Sequence, residues 1–235
     1  MQAIILAGGK GTRLKPFTTS FPKPLVPIDE QPIIEIVIKQ LRYYGFNNVI
    51  VTVNHLADLI KAYLGEGEKF QINISYSLET KPLGTAGPIS LIKDLNRDFL
   101  VMNGDLLTTI SYEKLYEYHL SLKADITIAV YKREEKIDLG VIEFDHGDFS
   151  NYIEKPVYSF YVSMGIYVLN KKVLELIPIN EKFDMPDLIL LAKKRGFSIK
   201  CYISDCYWLD IGRVDDYEKA CEVYKLRKDE FLPLR

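Results

Sequence analysis

Two short stretches of this chain gather groups suited to phosphate chemistry. Residues 8–13 read Gly-Gly-Lys-Gly-Thr-Arg, directly after the apolar run from Ala3 to Leu6. Glycines let the backbone turn sharply and approach a ligand without a Cβ in the way. Exposed N–H groups in such a loop make an anion-binding nest, and Arg13 adds a planar donor able to grip a phosphate through two hydrogen bonds. Further on, Lys23 stands between Pro22 and Pro24. The prolines restrict the backbone on both sides, which holds the ammonium group in one place.

Several chemistries compete for the glycine cluster. A P-loop needs Gly-x-x-x-x-Gly-Lys-Ser/Thr, and the spacing here is wrong. A dinucleotide fingerprint needs a third glycine where Leu14 stands, and an acid at the end of the next strand. Asp29 lies at a plausible distance, but in a proline-rich loop. A loop wrapping a nucleoside triphosphate remains, beside the plain alternative of a glycine-rich turn with scattered surface charge. A second candidate centre is Asp105, in Asn-Gly-Asp after the apolar run 98–103. It reads as a carboxylate at the C-terminal end of a strand, where open α/β sheets bind ligands, or as ordinary turn chemistry.

The elements that must position these groups alternate along the first half. Strands are expected over 2–7, 48–53, 71–77 and 98–103. Helices are expected over 31–44, closed by Gly45, over 57–64, closed by Gly65, and over 86–95. This rhythm argues an α/β layer structure with a mainly parallel sheet. After residue 122 long alternating runs take over (124–133, 139–145, 158–170). They predict antiparallel strands that extend or cover the sheet, followed by helices over 184–195 and 214–227. With no linker-like stretch, a single domain over 1–235 is expected, 1–122 mainly for the nucleotide and 123–235 mainly for the acceptor.

Composition narrows the class. The 48% apolar content can fill a substantial core, and a net charge of −2 argues against a nucleic-acid partner. No run approaches the roughly 20 apolar residues of a membrane span, and the N-terminus lacks leader features, so a cytoplasmic protein without a membrane partner is expected. Cys201, Cys206 and Cys221 lack the paired spacing of a zinc site. His55, expected to start a helix, His119 and His146, in a turn, match no ligand pattern.

The segment Leu6–Pro16 with Pro22-Lys23-Pro24 resembles the signature of the sugar-phosphate nucleotidylyltransferases. Further matches follow in that family's order: Pro82-Leu83-Gly84-Thr85-Ala86-Gly87, Asn103-Gly104-Asp105, Glu154-Lys155-Pro156 and Trp208-Leu209-Asp210-Ile211-Gly212. Glu79 with the segment 82–87 is most similar to the guanylyltransferases of mannose and heptose 1-phosphates. One departure is Arg213-Val214, where the family commonly has Thr-Pro.

The resemblance implies a three-layer, Rossmann-like α/β nucleotidyltransferase fold with a mixed, mainly parallel sheet and an antiparallel sugar-binding extension. It implies an enzyme that couples a sugar 1-phosphate to a nucleoside triphosphate, GTP above UTP, dTTP or CTP, and releases pyrophosphate. A non-catalytic nucleotide-sugar sensor is the alternative. Leu6, Ala7, Gly8, Gly9, Gly11, Thr12, Arg13, Glu79, Gly84, Thr85 and Asp105 would bind the nucleotide. Arg13, Lys23 and Asp105 would be catalytic, and Asp105 with Asp210 would hold Mg²⁺, a hard cation suited to carboxylates. Asn103, Gly140, Glu154, Lys155 and Gly165 would meet the sugar phosphate. The chain is expected to be the catalytic domain alone, and its tyrosine-rich strands would suit a homodimer.

Overall fold

The computed structural model describes residues 1–9, 11–14, 17–54 and 56–232. Lys10, Lys15, Pro16 and the helix start expected at His55 lie outside the described residues. The frame is a seven-stranded sheet in the spatial order β12 (Ile199–Ile203), β8 (Ile126–Lys136), β11 (Val157–Asn170), β6 (Asp98–Asn103), β1 (Gln2–Leu6), β4 (Asn48–Val53) and β5 (Asn73–Leu78). From the first half it takes β1, β4, β5 and β6. All four are mutually parallel: β1 pairs with β4 and β6, and β4 pairs with β5. The second half supplies β8, β11 and β12. Strand β11 runs antiparallel between β6 and β8, and β12 returns parallel to β8. The expected mixed, mainly parallel sheet with an antiparallel extension is what forms.

Both faces of the sheet are covered at its centre, where β1, β4 and β6 are apolar on both sides. Along β1, Ala3 and Ile5 pack on one face while Ile4 packs on the other. The first face lies under α1 (Ile33–Tyr43), α2 (Ala57–Leu64) and α3 (Tyr112–Ser121). The second lies under α4 (Met185–Lys194) and the short 3₁₀ turns around it. Helix α1 is buried on two sides. Ile34, Val37, Ile38 and Leu41 face the sheet, while Ile33 and Ile36 face α5 (Val214–Leu226) and α6 (Lys228–Phe231) through Tyr224 and Phe231. That third cluster also holds Leu14 from the glycine loop, so the C-terminal helices brace the N-terminal loop. Gly45 and Gly65, both at positive φ, end α1 and α2 as expected.

One expectation is corrected. Residues 86–95 do not make a helix of that length; a 3₁₀ turn covers Gly87–Leu91 only. Pro88 removes a donor there, and the Ala86 and Gly87 N–H groups are both committed to the Phe183 carbonyl, at 2.9 Å each. Helix α3, capped by the Ser111 hydroxyl, is an element the periodicity reading did not reveal. Short strands β2 (Pro27–Ile28) and β3 (Gln31–Pro32) form a small ribbon before α1, β7 (Leu106–Thr108) pairs with β13 (Trp208–Asp210), and β9 (Val141–Asp145) with β10 (Asp148–Ile153) forms a hairpin. His146 sits in that hairpin turn at positive φ.

His119 ties α3 to the sheet. Its Nδ1 lies 2.8 Å from Thr127 Oγ1 on β8 and its Nε2 3.3 Å from Asp98 Oδ1 on β6. Burial holds its pKa below the usual 6.5, against the pull of Asp98. The unfolded chain therefore takes up this proton first as pH falls. The His119 contribution to stability is complete above pH 6.5 and is lost below it, with a limiting slope of about 1.4 kcal/mol per pH unit. Thermal unfolding of the wild type and His119→Gln between pH 7.5 and 5 checks this: the Tm gap between them should shrink as pH drops.

Candidate active site

The C-terminal ends of β6, β1, β4 and β5 meet along one edge of the sheet, as expected for ligand binding in an open α/β fold. A cavity of about 380 Å³ opens there. Leu6, at the end of β1, and Ala7, Gly8 and Gly9, just after it, form part of its wall, and Glu79, Gly84, Thr85, Asn103, Asp105 and Lys23 line it with them. A Cβ on Gly8 would stand 2.4 Å from Glu79 Oε1, while one on Gly9 would meet nothing within 4 Å. A side chain at Gly8 would have to displace the Glu79 carboxylate, and Gly9 offers open backbone.

Glu79 is only 6% exposed and accepts from the Leu83 N–H at 3.2 Å. Burial pushes its pKa above the ordinary carboxylate value, and the Leu83 hydrogen bond opposes that shift. Gly84 adopts φ +79°, where a Cβ would stand 2.5 Å from Asp184 Oδ1 and 2.7 Å from the Phe183 carbonyl. Asp184 also accepts from the Thr85 N–H at 3.1 Å, and Thr85 Oγ1 accepts from the Met185 N–H at 2.7 Å. Loop 82–87 is thus pinned by the start of α4. Sequence reasoning did not find Asp184, because nothing local to residue 184 signals a partner 99 positions earlier. It also missed Thr52 and Asn54, which line the cavity from the end of β4.

The charged centre lies at the junction of β6 and β7. Lys23, 8% exposed, donates to Asp105 Oδ2 in an ion pair. The other oxygen, Asp105 Oδ1, is buried with no partner among the described residues. Asp210 is drawn alongside because β13 pairs antiparallel with β7, setting Asp210 opposite Leu106. The Ile211 N–H then reaches the Asp105 carbonyl at 3.2 Å. Burial raises the Asp210 pKa, and the Asp105 carboxylate raises it further, while Lys23 and Arg13 pull it down. Arg13 stands at the same turn, since a Cβ on Gly212 would be 3.6 Å from its Nη1. Two carboxylates and two cations from four separate segments converge here. An unpartnered buried carboxylate oxygen beside a second carboxylate is a donor set that fits a hard divalent cation.

Gly11 and Thr12 flank this centre without lining the cavity. Gly11 is at φ +59°, and a Cβ there would stand 2.9 Å from Thr18 Cγ2 and 3.0 Å from Lys23 Cβ. Its carbonyl accepts from Thr18 Oγ1 at 2.6 Å, so the loop is folded down on Lys23. The expected sugar-side residues split. Gly165, at φ +71°, packs against Asn103, whose Nδ2 would be 2.6 Å from a Cβ on that glycine. Gly140, Glu154 and Lys155 flank the β9–β10 hairpin and line neither this cavity nor a neighbouring one of about 840 Å³ that includes Asp210 and Arg213. Gly140 packs against the Tyr152 ring, and Tyr152 donates to Glu154 at 3.0 Å.

The chain matches the family model described as Nucleotidyl transferase over residues 2–226. It is 34% identical over 223 residues to the D-glycero-alpha-D-manno-heptose 1-phosphate guanylyltransferase of Aneurinibacillus thermoaerophilus, covering 94% of this chain and 96% of that protein. It is also 34% identical over 237 residues to the mannose-1-phosphate guanyltransferase of Yarrowia lipolytica, covering 95% of this chain but only 64% of that longer protein. Its fold is similar to the crystal structure of HddC from Yersinia pseudotuberculosis complexed with GMP-PN, with a TM-score of 0.74, 28% identity, and coverage of 95% of this chain and 99% of that one. The family match runs through both halves of the sheet and every segment that meets at the charged centre, and the chain belongs to the nucleotidyl transferase family.

Proposed function

We propose that this chain is a sugar-1-phosphate nucleotidyltransferase that joins a mannose- or heptose-type sugar 1-phosphate to GTP and releases pyrophosphate. The observation that carries this reading is the centre made by Asp105, Asp210, Lys23 and Arg13 beside a cavity walled by the glycine turn. The guanylyltransferase names of the relatives support the base and the acceptor class.

In the reaction, an oxygen of the sugar 1-phosphate forms a bond to the α-phosphorus as the bond from that phosphorus to the pyrophosphate oxygen breaks. The nucleophile is already anionic, so the protein need not remove a proton. Its work is to align the groups and neutralise charge. Gly8, Gly9, Gly11 and Thr12 offer N–H groups to the triphosphate. Lys23, held in place by its prolines and by Asp105, offers its ammonium group to the α-phosphate, and Arg13 takes up charge on the leaving pyrophosphate. Asp105 and Asp210 would hold Mg²⁺, which when bound supplies further charge neutralisation on the phosphate oxygens.

Within this reading, residues 1–122 serve mainly the nucleotide and 123–235 mainly the sugar phosphate, in one catalytic unit. Asn103 and Gly165 border the sugar phosphate, and Gly140, Glu154 and Lys155, which line neither cavity, would meet it only at its outer end, from the hairpin. No helix among the described residues is long and apolar enough to cross a membrane, in keeping with a cytoplasmic enzyme. The hairpin exposes Phe144, Phe149 and Tyr152, a face suited to a homodimer, which equilibrium sedimentation can test.

Pyrophosphate release should be measured with Mg²⁺ across GTP, UTP, dTTP, CTP and ATP, each against several sugar 1-phosphates. The expected result is release with GTP and a mannose or heptose 1-phosphate. Release with another base would retain the chemistry and overturn the base. Binding without release from any pair would favour a sensor.

A further inference from the structure

Strand β4 is buried from Val49 to Val53, and Thr52 is its one polar side chain in that stretch. Val49, Val51 and Val53 face the helices α1 to α3, while Ile50 packs on the opposite face of the sheet. Thr52 follows Ile50 on that opposite face, because side chains alternate along a strand. In register it stands between Leu6 on β1 and Ser77 on β5. The residue is 0% exposed, and its hydroxyl oxygen has no hydrogen-bond partner among the described residues. Most buried hydroxyls in folded proteins are paired, so an orphan calls for an explanation.

Thr52 also lines the 380 Å³ cavity, at the end away from the Asp105 side of the sheet, with Asn54 and Glu79. The strand order sets this: β6, with Asp105 just beyond it, lies on one side of β1, and β4 with β5 lies on the other. A nucleotide whose phosphates reach Lys23 and Asp105 therefore extends its base toward β4 and β5. There an ionised carboxylate can only accept, an amide can do both, and a hydroxyl can donate or accept.

We propose that the Thr52 hydroxyl is a base-reading group that hydrogen-bonds to the guanine edge and contributes to selection of GTP. This rests on the nucleotidyltransferase reading above. A buried polar group left unpaired by the wrong base discriminates more strongly than an apolar wall does.

The test compares wild type, Thr52→Val and Thr52→Ser by calorimetric binding of GTP with Mg²⁺ and by steady-state pyrophosphate release. Valine fills the same volume without the hydroxyl; serine keeps the hydroxyl. T52V should weaken GTP binding about tenfold, the loss of one hydrogen bond in a dry site, through KM with little change in kcat. T52S should stay within about twofold of wild type. The ligand-free T52V protein should unfold at the same or a higher temperature, because an unpaired buried hydroxyl has been removed. A merely structural threonine would give the stability change without the KM change.

Inosine triphosphate, which lacks the 2-amino group, assigns the partner atom. A penalty in T52V that vanishes with it identifies the amino group; one that persists assigns the contact to an atom both bases share, O6, N1–H or N7. GTP affinity and KM unchanged in T52V would overturn the proposal, as would equal losses in T52V and T52S. So would a loss confined to kcat. Wild type that binds GTP but releases no pyrophosphate with any acceptor would sink the nucleotidyltransferase reading while the binding comparison still decides Thr52. Wild type that binds no GTP would overturn both.

Discussion

Asp105→Asn is expected to lower kcat for pyrophosphate release by about 10³-fold while the protein stays folded. The substitution keeps the shape and removes one charge. Asp105 faces Lys23 with one oxygen and leaves the other buried without a partner, next to Asp210. An amide there can still accept from Lys23, which limits the structural damage. It cannot match a carboxylate as a ligand for a hard cation, and pre-positioned charge at the reacting phosphate is worth about 10²–10³ per group. The Mg²⁺ concentration needed for half-maximal rate should rise in parallel. Single-turnover pyrophosphate release over a Mg²⁺ titration, with circular dichroism on the same samples, checks both. Activity within tenfold of wild type at saturating Mg²⁺ would remove Asp105 from the centre.

Lys23→Met should damage both catalysis and the fold. Lys23 is nearly buried, and its ammonium group is the cation in contact with Asp105. Methionine fills similar space but leaves Asp105 without its cation, facing Asp210. Removing one member of a buried ion pair costs about 3–5 kcal/mol, because the remaining charge stays desolvated. Asp105 is about a fifth exposed, so the lower end, about 3 kcal/mol, is expected. That corresponds to a Tm loss of several degrees for a chain of this size. The kcat should fall by at least about 10²-fold. The double variant Lys23→Met/Asp105→Asn should recover part of the lost stability and none of the activity. Thermal unfolding of the single and double variants separates the two effects. A K23M protein as stable as wild type would mean that the ion pair contributes nothing to the fold.

Several features of this protein were legible in its sequence because their signals are local. The apolar run followed by glycines, the alternation of strands and helices to residue 78, and the glycine stops at 45 and 65 each depend on a few neighbouring residues. All three appear in the structure. Arg13, Lys23 and Asp105 stand out in the sequence for the same reason, since each follows an apolar strand, and the structure brings them together beside Asp210. The helix expected over 86–95 does not form, because Pro88 removes a donor and the Ala86 and Gly87 N–H groups are held by the Phe183 carbonyl. Propensity is a weak prior that such tertiary bonds override.

Local signals therefore specify the layer class and the first strands and single out candidate residues for phosphate chemistry. Which distant segments join those candidates depends on the folded chain. An alternating pattern marks β11 as a strand but cannot name its neighbours; its insertion between β6 and β8 joins the second half to the same sheet. The three-residue pairing of β13 with β7 carries Asp210 to Asp105 across about a hundred residues. Asp184 on the loop 82–87 and the orphan hydroxyl of Thr52 belong to the same class of fact. Each depends on where a packed sheet places a side chain, and non-local pairing and burial leave no signature in the residues immediately around it.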